Sequence, residues 1–291
     1  MAKREIDTVT GTETTGHEWD GIKELNTPLP RWWLWLFYIT IVWSIGYMIL
    51  YPAWPLLSTH TQGVLGWNSR SAVSEDLAAL RAQRAGMADK IAASSLDDIL
   101  GDQQMLDFAR AQGRAAFADN CAPCHGAGGG GARGYPNLND DDWLWGGKLA
   151  DIEHTIRHGV RWSSDENTRQ GMMPAFGRDK ILSQADIAAV ADFTRSLSGL
   201  PVAAGTDLAR GKTIFADNCA SCHGEAGKGN REIGAPDLTD QIWLYGPSRE
   251  TLIEGISNGR GAAMPAWAPR LDDTTIKSLT VYVHTLGGGE K

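Results

Sequence analysis

GRAAFADNCAPCHG (113–126) and GKTIFADNCASCHG (211–224) are two versions of one phrase, the second repeating the first at an offset of 98 residues. Further on, YPNLNDDDWLWGG (135–147) matches APDLTDQIWLYGP (235–247) at an offset of 100, and IEHTIRHG (152–159) matches LIEGISNG (252–259). MPAF (173–176) then pairs with MPAW (264–267) at an offset of 91, so the first copy carries about nine extra residues near 161–169. Each copy is roughly 90 residues long, a size at which a bound cofactor or metal is needed to supplement a thin core. Near the end of each copy, Ile187, Val190 and Leu197, and again Ile276, Leu279 and Leu286, fall on one helical face. Phe193 and Tyr282 occupy equivalent places on those helices, and Gly113/Phe117 and Gly211/Phe215 form i, i+4 pairs on the opening helices. A glycine there lets another helix cross closely.

All four cysteines lie in the phrase, as Cys121-Ala-Pro-Cys124-His125 and Cys219-Ala-Ser-Cys222-His223. C-x-x-C-H is the attachment pattern of a c-type haem. Two thiols three residues apart reach the two vinyl groups on one porphyrin edge as thioethers, and the adjacent histidine is placed under the ring to ligate the iron. A structural zinc site would want its second C-x-x-C within about 20 residues, and a thioredoxin-like pair needs a βαβ context. Two disulfides would leave the histidine after each pair unexplained. The reading is therefore two covalent haems c. Met173 and Met264 hold equivalent places, each followed by Pro-Ala-aromatic, and are the candidate second axial ligands. Met173 lies 48 residues after His125 and Met264 lies 41 after His223, which leaves room for each copy to wrap its own porphyrin. The adjacent Met172 competes for the first iron, and the Pro-Ala register favours Met173. His/Met ligation fills both axial positions and raises the iron potential, which suits electron transfer and leaves no place for a substrate.

The remaining histidines read otherwise. His154 and His158 occur in the first copy only, opposite Glu254 and Asn258, and read as surface or propionate neighbours, with a bis-histidine iron site as the alternative. His60 and His284 read as structural. GAGGGGARG (126–134) lacks the Lys-Ser/Thr ending of a phosphate loop and reads as plain loop, and Asp140–Asp142 reads as a solvated turn.

Residues 32–51, WWLWLFYITIVWSIGYMILY, contain no charge. Twenty helical residues cover about 30 Å, the thickness of a bilayer's hydrocarbon core. Aromatic residues crowd both ends, Arg31 anchors the first, and Pro52 and Pro55 stop the helix. A polar segment precedes the run and no cleavage site follows, which argues for a retained span over a signal peptide. Lys3, Arg4, Lys23 and Arg31 before the span weakly favour a cytoplasmic N-terminus. Thioether haem is assembled outside the bacterial cytoplasm, which puts the haem domains in the periplasm. The balance of 27 basic to 35 acidic residues, net −8, argues against a nucleic-acid partner, and 42% apolar residues exclude disorder for most of the chain.

The stretch D-G-I-x-E-L-x-x-P-L-P-R-W-W (20–33) before the span, taken with the two C-x-x-C-H domains, resembles the dihaem membrane-anchored cytochrome c subunit (subunit III, the CcoP/FixP type) of cbb3-type cytochrome c oxidases. The resemblance implies that electrons from a donor cytochrome c pass through the two haems towards a monohaem cytochrome c subunit or the catalytic haem–copper subunit, where oxygen is reduced to water. This chain is then an electron-input subunit in the bacterial inner membrane, without catalytic residues of its own. A free-standing anchored dihaem carrier is the alternative, and a dihaem peroxidase is disfavoured because it needs an open iron.

The expected architecture is mainly α. A cytoplasmic segment (1–31), a transmembrane helix (32–51) and a periplasmic linker (52–104) precede two tandem cytochrome c domains (105–200 and 201–291). Ser44 and Gly46 put small residues mid-span, where a neighbouring helix can approach, so residues 19–56 are expected to dock as well as to anchor.

Overall fold

A computed structural model describes residues 5–290. The chain divides into two units between Gln83 and Arg84. Lys3 and Arg4, invoked above for orientation, lie outside the described residues.

In the first unit, β1 (Thr14–Trp19) and β2 (Ile22–Leu25) form an antiparallel hairpin. Asp20 and Gly21 make its two-residue turn with φ of 50° and 83°, the backbone that an Asp-Gly loop adopts to match strand twist. The polar segment before the span thus carries a hairpin of its own. Helix α1 (Arg31–Leu50) starts after Pro30 and buries no residue, as an apolar helix facing lipid should. It begins one residue earlier than expected. Trp43, Tyr47 and Tyr51 stack in succession along it, with ring centroids 5.4 and 4.9 Å apart. Past Pro52 the chain folds back, and the Val64 and Leu65 N–H groups donate to the Ile49 and Leu50 carbonyls (2.9 and 3.1 Å). Two of the helix's orphan terminal carbonyls are thereby satisfied.

The segment expected to be linker carries helix α2 (Ser69–Ala93), built largely from good helix formers, and α3 (Leu96–Gly101), closed by a Ser95/Asp98 capping box. Ile91 and Ile99 are fully buried with Met105, Ala109 and Val281. Lys277 caps the C-terminal end of α2, donating to the Ala92 and Ser94 carbonyls at 2.7 Å each.

The rest of the second unit is α4 (Gln103–Asn120), α5 (Ala122–His125), α6 (Leu149–His158), α7 (Gln184–Leu197), α8 (Leu208–Asn218), α9 (Ala220–His223), α10 (Arg249–Asn258) and α11 (Asp273–His284). The two copies of the repeat do not fold separately. Helix α4, which opens the first copy, packs on α11, which closes the second, and α6 also lies on α11. Conversely α7, which closes the first copy, packs on α8 and α10 of the second. Each lobe is thus assembled from the front of one copy and the back of the other. The crossing points are the glycines read from sequence. A Cβ at Gly113 would overlap the Ser278 carbonyl, and one at Gly211 would overlap the Ala189 carbonyl.

Candidate haem sites

Short helices α5 and α9 carry the two C-x-x-C-H motifs, each entered directly from a longer helix through a cysteine in helical conformation. The His125 Nδ1 lies 3.0 Å from the Pro136 carbonyl, and the His223 Nδ1 lies 3.1 Å from the Pro236 carbonyl. A carbonyl only accepts, so each Nδ1 carries the proton and each Nε2 keeps its lone pair for a metal. Burial lowers both histidine pKa values, with the carbonyl contact opposing, which keeps the imidazoles neutral and able to ligate. Burial pushes the Cys121 and Cys219 thiols up to about 11. Cys124 and Cys222 are exposed, and all four thiols are free.

The methionines are exchanged. Met173 packs into the core that holds Cys219, Ala220, Phe215 and Trp243, the surroundings of the second motif. Met264 pairs through its backbone with Val160 just past α6, and Trp267, three residues on, lies in the core holding Cys121, Ala122 and Phe117. Reciprocal backbone bonds lock this exchange. Met264 and Val160 bond in both directions (2.9 and 3.0 Å), as do Met173 and Arg260 (2.9 and 3.2 Å). Trp267 N–H donates to the Ile156 carbonyl, and Phe176 N–H donates to the Ile256 carbonyl. The expectation that each copy wraps its own porphyrin therefore fails. The chain crosses between lobes before each Met-Pro, where Gly159 and Gly259 (φ 68° and 75°) leave no room for a Cβ beside the incoming carbonyl. Met172 is 70% exposed, whereas Met173 faces the core.

The nine extra residues acquire a role. Arg260 lies over the Tyr245 ring at 4.0 Å and donates to the Thr251 carbonyl. In the first copy the residue matching Arg260 is Val160. The insertion loops out and returns Arg169, which lies over Trp145 at 5.4 Å and donates to the Asp151 carbonyl, the match of Thr251. A guanidinium thus stacks on an aromatic ring at both sites by different routes. Arg260 has no carboxylate partner among the described residues. The Trp243 Nε1 is buried without a hydrogen-bond partner, whereas its match, Trp143, donates to the Gly288 carbonyl at 2.6 Å. Free paired thiols, a lone-pair imidazole nitrogen, an inward methionine, an uncompensated guanidinium and an orphan indole N–H fit a covalently held, carboxylate-bearing metalloporphyrin. In the Asp140–Asp142 stretch, read as a solvated turn, Asp141 is exposed while Asp140 and Asp142 are half-buried. Burial, followed by the like charges of Asp240, Asp140 and Asp237, pushes the Asp142 carboxyl up to about 6.

Residues 11–58 match the N-terminal domain of cytochrome oxidase-cbb3, FixP, residues 110–198 match cytochrome c, and residues 206–283 match cytochrome c oxidase, cbb3-type, subunit III. The cbb3-type cytochrome c oxidase subunit FixP of Azorhizobium caulinodans is 61% identical over 98% of this chain and 96% of the relative. That of a Bradyrhizobium species is 59% identical over 98% of each. The CcoP subunit of an Azospirillum species is 50% identical over the whole of both chains. Identity at this level runs through the span and both lobes, and the chain belongs to the FixP/CcoP family of cbb3-type cytochrome c oxidase subunits.

Proposed function

We propose that this chain takes electrons from a donor cytochrome c and passes them, through two covalently attached haems c, towards the monohaem and catalytic haem–copper subunits of a cbb3-type oxidase. The placement of Met173 beside the second motif, and of the Met264 backbone beside α6, supports the proposal. Each lobe would then hold one His/Met ligand pair, His125 with Met264 and His223 with Met173. Bound there, haem c supplies a one-electron ferric/ferrous couple.

The residues around each site do the rest. Cys121, Cys124, Cys219 and Cys222 would hold the haems through thioethers. Pro136 and Pro236 carbonyls hold the imidazole tautomer, and Met264 and Met173 would supply the second protein ligand to each iron, which would leave no site for oxygen or peroxide. Arg260 and the Trp243 Nε1 would serve the haem carboxylates in the second lobe, and Arg169 in the first. Helix α1 anchors the chain in the inner membrane with the N-terminus cytoplasmic and the lobes periplasmic, since thioether haem is made outside the cytoplasm.

Detergent extraction followed by affinity purification of this chain tests the proposal. Copurification with a haem–copper subunit that reduces oxygen from reduced cytochrome c supports it. Recovery of the dihaem chain alone, with oxidase activity intact elsewhere, identifies a free carrier instead.

A further inference from the structure

Helix α6 presents two faces. Ile152 and Ile156 point into the core that holds Cys121. At 3.6 residues per turn, His154 and His158 lie roughly opposite those two, so neither ring is aimed at an iron in the first lobe. The alternative of a bis-histidine iron site fails on this geometry. The two rings are neighbours, one turn apart, with centroids 4.7 Å from each other.

Both rings are already oriented by the insertion. The His154 Nε2 lies 3.0 Å from the Asn167 carbonyl, and the His158 Nδ1 lies 3.0 and 3.2 Å from the Asp165 carboxylate oxygens. Those oxygens only accept, so the protons sit on these nitrogens, and the His154 Nδ1 and His158 Nε2 are left as lone-pair donors. A ring N–H given to a carboxylate or a backbone carbonyl is the arrangement that accompanies metal-ligating histidines. The second copy has Glu254 and Asn258 in these places and no counterpart of the insertion. The histidines and the groups that orient them therefore occur together, once. Arg169 pins the end of the insertion to α6 through Thr155 Oγ1 (2.9 Å) and the Asp151 carbonyl (3.1 Å).

We propose that His154 and His158 form a two-histidine site for a divalent transition-metal ion of the copper or zinc type, on the outer face of α6 and separate from both haem sites. Two imidazoles bound at a right angle to one ion, with metal–nitrogen bonds of about 2.0–2.1 Å, bring their ring centres to roughly 4.5 Å, close to the spacing here. Imidazole donors suit copper, zinc and nickel, with copper bound most tightly. Among the described residues no cluster of three or more histidine, cysteine or carboxylate ligands occurs. Water completes the coordination, and the site is exchangeable.

The test is a copper titration of the full-length, untagged, haem-loaded chain in detergent after chelator treatment, read by electron paramagnetic resonance. One equivalent of Cu²⁺ should give an axial signal with nitrogen coupling, displaced by excess Zn²⁺. His154→Ala or His158→Ala should weaken binding at least tenfold and reduce the nitrogen coupling. Asp165→Asn removes an orienting charge and no ligand, so it should weaken binding about tenfold while the coupling persists. An unchanged haem absorption spectrum shows that each variant is folded. The proposal is overturned if the His154→Ala/His158→Ala chain binds one copper as tightly as the parent. It is overturned equally if the parent shows no nitrogen-coupled copper at one equivalent.

Discussion

Phe117 and Tyr282 meet with ring centroids 5.4 Å apart and planes tilted by 56°, although they belong to different copies of the repeat. Phe193 and Phe215, their matches, meet at the same 5.4 Å and 59°. Between copies, these aromatic pairs seal the two helix crossings at Gly113 and Gly211.

Ligand identity should follow the lobes and not the copies. In a Cys219→Ala/Cys222→Ala chain, which keeps only the haem at Cys121 and Cys124, Met264→His should lower the midpoint potential on the order of 0.2 V and remove the near-infrared Met–Fe band. Met173→His in that chain should change neither. The opposite pattern refutes the exchange.

Helix crossings predict a pair of glycine effects with opposite signs. Gly113→Ala and Gly211→Ala each force a methyl into a carbonyl of the facing helix, and should destabilise the second unit by about 2–3 kcal/mol. Gly86, inside α2, has open space around its missing Cβ. Gly86→Ala should stabilise by about 0.5–1 kcal/mol. Thermal unfolding of the three variants, followed by circular dichroism, checks both signs.

Asp192 is buried on α7 and receives both arms of the Arg249 guanidinium from α10, at 2.7 and 2.9 Å. Arg249→Met strands that carboxylate and should cost about 2 kcal/mol, less than for a fully buried pair because Arg249 is partly exposed. The Asp192→Asn/Arg249→Met double variant should recover part of the loss. A double-mutant cycle by urea unfolding measures the coupling, and additive single effects contradict it.

Burial and the neighbouring like charges push the Asp142 carboxyl in the folded protein up to about 6, from an ordinary value of 3.8. A folded carboxyl that holds its proton more tightly than the unfolded one contributes stability at low pH, and loses it as pH rises from about 4 to 6. Asp142→Asn should therefore raise stability at pH 7 by at most about 1 kcal/mol, after allowance for solvent screening. It should also leave stability near pH 4 unchanged. Unfolding midpoints at the two pH values decide it.

Replacing residues 32–51 with a leucine/alanine span tests whether α1 does more than anchor. Ser44, Gly46 and the stacked Trp43, Tyr47 and Tyr51 should give a specific contact for a neighbouring helix. The chimera should insert and acquire haem, yet fail to copurify with the oxidase. Normal assembly and oxygen uptake would reduce the span to a tether.

The sequence by itself marked the two C-x-x-C-H motifs and the apolar N-terminal helix, because both depend on local spacing. C-x-x-C-H brings two thiols and an imidazole together within about one helical turn, and twenty uncharged helical residues are long enough to cross a bilayer. It also marked the crossing glycines and the equivalence of Phe193 with Tyr282. The Asp-Gly turn and the helix formers of 69–93 were legible signals for a hairpin and for α2.

Only the tertiary structure carries Met173 into the core of the second motif and the Met264 backbone to the end of α6. A repeat is blind to exchange, since the same apolar helix face can pack on its own copy or on the other. The choice is set by non-local contacts such as Gly113 on Ser278 and Val160 on Met264. The same holds for Val281 and Asp192, equivalent positions with opposite character. Val281 is apolar because α2 and α3 supply Ile91 and Ile99 to cover it, whereas Asp192 is charged because Arg249 reaches it. Burial and charge pairing depend on what the fold brings to the other side, and no local pattern states that.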